Sequence, residues 1–452
     1  MSGPSLLKRR EIIDALRIGA VPRRGLELFA VGLERFEKAI DEELDSVAAG
    51  KGRFKAVRGE YGTGKTFFAR WLEHRALAKG FATTLVQISE SDTPLYRMET
   101  VYRRAIEALQ TKEWSDAAFR ALVDRWFFQL EEEVLAQGAV DPNDDAAVER
   151  GVGELLERRL RVVSGTQPQF AAALRACHAA RVRGDQAAAE GLVAWLMGQP
   201  NVGANILRGA SLKGDLDHDS AAGFLRGLLE VLKQTGRKGL VLVLDEVETI
   251  QRVRADSREK SLNALRQLID DLAGERYPGL YVLITGTHAF FEGPQGVKRL
   301  PPLAQRLHAE FGPDPRFDSA RAPQIRLQPF DMDRLVEVGR KVRELYPTNA
   351  SERVNAKVGD PTLRAIAQKV AGTLGGKVGV APRIYLRKVV GLLDQVDEHE
   401  DFDPEKHGKL VVDVSEMNET ERAAAGVERS VDDIELDMAA ECKTEKAERG
   451  IE

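Results

Sequence analysis

The chain has 452 residues, 43% of them hydrophobic and 30% charged, and a net charge of −5. These values exclude a polycation and allow roughly two or three globular domains, so any nucleic-acid contact has to come from a local basic patch. Two distant cysteines, Cys177 and Cys442, give no disulfide framework or thiolate metal site. Without a signal-peptide core or a run of about 18 apolar residues, the sequence reads as cytoplasmic with no membrane segment.

In chain order, residues 5–18 carry apolar positions at helical spacing (Leu6, Ile12, Ile13, Leu16, Ile18), and Gly19 and Pro22 stop the helix. A second helix is expected over 33–47. A short strand, Phe54–Arg58, runs into a glycine-rich turn. A helix over 65–79 and a strand over 83–88 follow. From 91 to 236 the pattern is almost wholly helical, with helices expected over 114–136, 146–163 and 169–183. The apolar runs 239–244 and Leu280–Thr285 suit strands buried on both faces, with a helix over 256–273 between them. Residues 325–328 suit a last short strand, and 331–346 and 361–396 are helical. From about 397 the composition turns acidic and polar, and partial disorder is expected.

This order predicts an α/β fold: a parallel sheet interrupted by a large helical insertion at about 91–236. The expected domains are 1–50 (N-terminal helices and nucleotide-edge segment), 51–330 (sheet domain), 331–396 (helical lid) and 397–452 (tail).

The turn after the first strand reads Gly59-Glu60-Tyr61-Gly62-Thr63-Gly64-Lys65-Thr66, the spacing of a phosphate-binding loop. Glycines let backbone N–H groups converge on phosphate oxygens, and the following helix adds its positive dipole end. Lys65 is expected on the β/γ-phosphates and Thr66 on magnesium. The apolar strand Leu240–Leu244 ends in Asp245 and Glu246. Asp245 fits a magnesium-holding residue, and Glu246 fits the general base that activates water. Glu248 lies off this motif and reads as structural. ATP and Mg2+ are therefore the expected ligands, and ATP hydrolysis the expected reaction.

Thr285 or Thr287, at the end of the fourth strand, could sense the γ-phosphate; an ordinary strand-to-loop turn is the plain alternative. Arg306, or less favourably Arg299, could reach a neighbouring subunit's phosphate as an arginine finger, which implies a homo-oligomer formed on ATP binding. Arg383 follows Pro382, expected in the first turn of a helix, and suits a lid arginine; Arg387 reads as surface.

The order of these features resembles the AAA+ ATPases of the replication-initiator and STAND-like branch. In that branch the segment matching Phe29-Ala30-Val31-Gly32 packs beside adenine, so the resemblance implies Phe29 and Val31 as base-pocket residues. More narrowly, RREIIDALRIGAVPRRGLELFAVG, VRGEYGTGKTFFARWL, QISESDTPL and KGLVLVLDEVETIQR resemble the BrxD ATP-binding proteins of bacterial BREX phage-defence systems, over about residues 8–395. That likeness implies helicase-like and methyltransferase defence partners. It departs from replication initiators in its acidic tail, where those carry a winged helix.

Two functions remain open. One is a DNA-linked motor or switch, favoured by arginines 150, 158, 159, 161, 175, 181 and 183 of the insertion. The other is a signalling ATPase that assembles proteins, with those arginines forming a solvated face paired to glutamates.

Overall fold

The computed structural model describes residues 4–425 apart from 139, 375–381, 409–411, 418–420, 423 and 424; the tail beyond 425 lies outside the described residues. Packing divides the chain into two compact units. One holds residues 33–60 and 64–328, the other residues 1–32, 61–63 and 329–452.

The larger unit is built on five strands: β1 Arg53–Arg58, β2 Ala82–Gln87, β3 Leu240–Asp245, β4 Leu280–Gly286 and β5 Gln324–Arg326. They pair in the order β2-β3-β4-β1-β5, and every pairing is parallel. The expected α/β architecture is thus found. The two continuous apolar runs occupy central positions, where β3 and β4 are buried along their whole length. That is why they read as unbroken Val/Leu/Ile segments rather than alternating ones.

Between β2 and β3 the chain makes helices Met98–Glu107, Ala118–Ala136, Asp145–Thr166, Pro168–Val182, Gln186–Leu196, Ala204–Gly209 and His218–Gln234. These share a core centred on Phe224, whose ring meets Tyr102 at 5.9 Å and both Phe170 and Trp195 at 5.2 Å, all edge-on. Such aromatic pairs add to the burial of their area. The helix expected from 114 starts instead at Ala118. Ala117 takes φ 51°, and Trp114 closes a turn with Thr111, so the chain bends before helical geometry can begin.

The smaller unit is helical: Leu6–Arg17, Met332–Leu345, Ser351–Lys357, Asp360–Thr373 and Pro382–Glu398. The first of these buries Ile12, Ile13 and Leu16, and Arg17 binds Asp394 at 2.8 Å on the last. Residues 1–32 therefore pack with the C-terminal helices, while 33–50 belong to the sheet unit. The first stretch of the acidic tail is ordered as well: Pro404–His407 is a short helix, and Val412 and Met417 are buried.

Candidate nucleotide site

The register of the sheet assembles the site. Gln87 pairs with Asp245, Leu244 with Ile284, Val57 with Thr285, and Arg58 with Gly286. Four strands thus end together, and their carboxyl ends bring Gln87, Asp245, Thr285 and the start of the glycine loop to one edge. Ligands of open parallel sheets bind at that edge.

Gly59 N–H donates to the Gly286 carbonyl at 3.1 Å, which anchors the loop to β4. Gly64 takes φ 90° directly before helix Lys65–Ala78, and Gly62 takes φ 80° at the tip. Both conformations suit glycine and strain other residues. Thr63 is buried, and Tyr61 is exposed. A helix begins with N–H groups that lack an intrahelical acceptor, so the loop delivers the chain into an anion-binding end. Lys65 is buried, and its Nζ donates to the carbonyls of Gly59 at 3.1 Å and Glu60 at 3.4 Å.

Asp245 is 4% exposed. Its carboxylate accepts from the Thr66 hydroxyl at 3.0 Å and, on its other oxygen, from the Thr285 hydroxyl. Thr66 and Asp245 form a hard-oxygen donor set of the kind magnesium takes, so the residues present fit that ion. Thr285 is fully buried, and its hydroxyl also accepts from the backbone N–H of Glu246 at 3.1 Å. One threonine therefore holds the Asp245 carboxylate and the Glu246 backbone.

Glu246 stands at φ 59°, ψ 41°, a left-handed conformation that costs energy for a side chain with Cβ and that clusters at functional positions. Gln87 donates to its carboxylate at 2.9 Å. The turn lifts the side chain out of the strand while the amide fixes its direction.

Two further carboxyls lie buried close by. Glu248 is 5% exposed, with Lys65 Nζ 3.7 Å away. Burial raises its pKa, Lys65 and its own backbone N–H oppose that, and Glu246 and Asp245 reinforce it. Glu73, on the helix after the loop, is pushed up to about 7 by burial, against the pull of Arg70.

Other expected site residues take local partners. Thr287 caps the short helix His288–Glu292, its hydroxyl accepting from Phe290 N–H at 3.3 Å. Arg306 forms a two-pronged ion pair with Asp270, its Nη2 donating at 3.1 Å, and also donates to the Pro302 carbonyl at 2.6 Å. Arg299 is exposed in the turn Val297–Arg299. In the smaller unit Pro382 does open the helix. There Arg383 binds buried Glu421 and donates to the Glu416 carbonyl at 2.6 Å, and Arg387 is half-buried. Phe29 is buried and Val31 half-buried, with the Ala30 carbonyl between them accepting from Lys341 at 2.6 Å.

Gln87 and His288 had no part in the sequence reading. Gln87 had a faint signal, a polar residue closing an apolar strand. His288, whose Nδ1 lies 2.7 Å from the Glu60 carboxylate of the loop, had none. Glu248, read as structural because it lies off the motif, stands 3.7 Å from Lys65 of the loop.

The family model of the BREX system ATP-binding protein BrxC/D matches residues 5–411. The chain belongs to the BrxC/D family. The match spans both units and contains the glycine loop, the acidic pair and the helical insertion. This BrxC/D chain is thus an ATP-binding protein of a phage-defence system. No curated protein matches it. No helix among the described residues is long and apolar enough to cross a membrane.

Proposed function

We propose that this BrxC/D protein is a magnesium-dependent ATP hydrolase that works as a switch or motor in phage defence. The observation that carries the reading is the shared Asp245–Thr285–Glu246 arrangement beside Thr66. Two hydroxyls orient one carboxylate for magnesium, and the next residue presents a second carboxylate from a left-handed turn. Lys65 supplies a cation to the phosphates, and Thr66 and Asp245 would hold a magnesium ion that, when bound, offsets part of their negative charge. Glu246 accepts the proton of the attacking water, with Gln87 holding it in line. The test is phosphate release by the purified full chain. Turnover should require Mg2+ and fall to background in Asp245→Asn; magnesium-independent turnover would refute it.

The proposal extends to an ATP-dependent homo-oligomer in which Arg306 reaches a neighbour's phosphate, and to helicase-like and methyltransferase partners. Arg306 would have to leave Asp270 to do so. The DNA-linked form of the reading rests on exposed Arg150, Arg158, Arg161 and Arg183 of the insertion.

A second reading has its own support. Arg159, Arg175 and Arg181 are ion-paired to Glu133, Glu157 and Asp124 on neighbouring helices of the insertion. Charge spent inside the insertion suits a protein-docking arm better than a phosphate-binding face. A salt titration of DNA binding separates the two, because phosphate contacts give a steep slope.

A further inference from the structure

Val247–Arg252 forms a tight helical turn directly after the acidic pair and returns Glu248 to the glycine loop. Its carboxylate is buried, no side chain among the described residues donates a hydrogen bond to it, and its own backbone N–H gives it only weak support. Lys65 Nζ, at 3.7 Å, is in ionic contact without donating to it; the same ammonium donates to the Gly59 and Glu60 carbonyls. An ionised group in such a place is costly unless an opposite charge lies beside it, and the nearby Glu246 and Asp245 have the wrong sign. Lys65 is the charge beside Glu248 that favours its ionised form over its neutral form.

The reverse relation follows. A lysine buried beside a fixed carboxylate is already partly neutralised before any phosphate reaches it. Glu248 and a phosphate oxygen are like charges sharing one cation, and like charges at short range oppose each other strongly where water is excluded. We propose that Glu248 is the positioning residue of Lys65, an internal counter-charge that orients the ammonium and competes with the nucleotide's phosphates for it. Glu248 thereby holds down affinity in proportion to the phosphate charge, favouring nucleotide exchange over permanent occupancy. This rests on the ATP-site reading above, and the test keeps the two apart.

The experiment compares the full-length wild type with Glu248→Gln and Glu248→Asp, titrated with ATP, ADP and adenosine. Glu248→Gln removes the charge and keeps the shape. It should bind ATP about tenfold more tightly, ADP by a smaller factor, and adenosine unchanged. Glu248→Asp keeps the charge and should remain within about twofold of the wild type. A purely structural role would instead weaken all three ligands together. Unchanged or weaker ATP binding by folded Glu248→Gln overturns the proposal.

Thermal unfolding supplies a readout that needs no nucleotide. Lys65→Ala strands the buried carboxylate and should lower Tm; adding Glu248→Gln should restore most of the loss. Additive losses overturn the pairing. If the wild type bound no ATP, the nucleotide reading would fail, while this cycle would still report whether the two residues are coupled.

Discussion

Thr285→Val is the sharpest perturbation of the site, because it removes one oxygen and keeps the volume. The Thr285 hydroxyl is fully buried, donates to Asp245 and accepts from the Glu246 amide. A hydrogen bond to a charged group contributes about 1.5–3 kcal/mol, and a buried polar group left unpartnered costs about 1–3 kcal/mol. Both effects act at once here, since the carboxylate loses one of two donors and the amide its acceptor. They share one hydroxyl, so the combined loss is put at roughly 3 kcal/mol rather than the full sum. Against a total stability of about 5–15 kcal/mol for a domain, that is measurable by denaturant unfolding of nucleotide-free protein. Turnover should also fall, by about 10- to 100-fold, if 1.4–2.8 kcal/mol of the loss reaches the transition state. Thr285→Ser should restore both quantities. A Thr285→Val protein within about 0.5 kcal/mol of the wild type and with equal turnover would refute the account of this residue.

Gln87→Ala should leave ATP affinity near the wild type and lower turnover about tenfold, since the amide aims Glu246 and one hydrogen bond to a charged group is of that size; unchanged kcat would remove Gln87 from the site. Glu73 gives a pH signature. Its folded pKa, about 7 against an ordinary 4.5, means the folded state holds a proton that the unfolded state has lost between these values. Stability should therefore fall as pH rises from about 4.5 to 7, and Glu73→Gln should flatten that slope and stabilise the chain at pH 8 by up to about 3 kcal/mol; a steeper slope in the variant would contradict this. Mixing Arg306→Ala with Glu246→Gln subunits should restore partial activity if sites are shared, whereas a fully active monomer would exclude the shared site. Charge reversal at Arg158 and Arg161 should flatten the salt dependence of DNA binding by about one unit per lost contact; binding untouched by it favours the docking arm.

Much of this arrangement was legible in the sequence because local rules dictate it. The loop Gly59–Thr66 has to turn where glycines allow positive φ, and Gly62 and Gly64 do so. The unbroken run Leu240–Leu244 has to be buried on both faces, and in that place its terminal Asp245 can only emerge at the sheet's edge. What stayed hidden depends on register and on side-chain direction. Gln87 meets Glu246 because β2 and β3 end in step, a pairing separated by the whole insertion. Glu248 returns to Lys65 because Glu246 adopts a left-handed turn, which no periodicity announces. Three arginines of the insertion, Arg159, Arg175 and Arg181, show the same dependence on packing. Their spacing suggests a basic face, but their partners Glu133, Glu157 and Asp124 lie on neighbouring helices, and only packing reveals them.

The claim at the centre is that this site hydrolyses ATP with Glu246 as the base. Single-turnover hydrolysis by Glu246→Gln, at enzyme concentrations that saturate with ATP, tests it most directly. The amide keeps the shape of the side chain and can still meet Gln87, yet it cannot accept a proton. Normal ATP binding with hydrolysis slowed about 100-fold or more is the predicted result. Hydrolysis at the wild-type rate would contradict the account and move the base to another carboxylate, with Glu60 of the loop and Glu248 beside Lys65 the candidates.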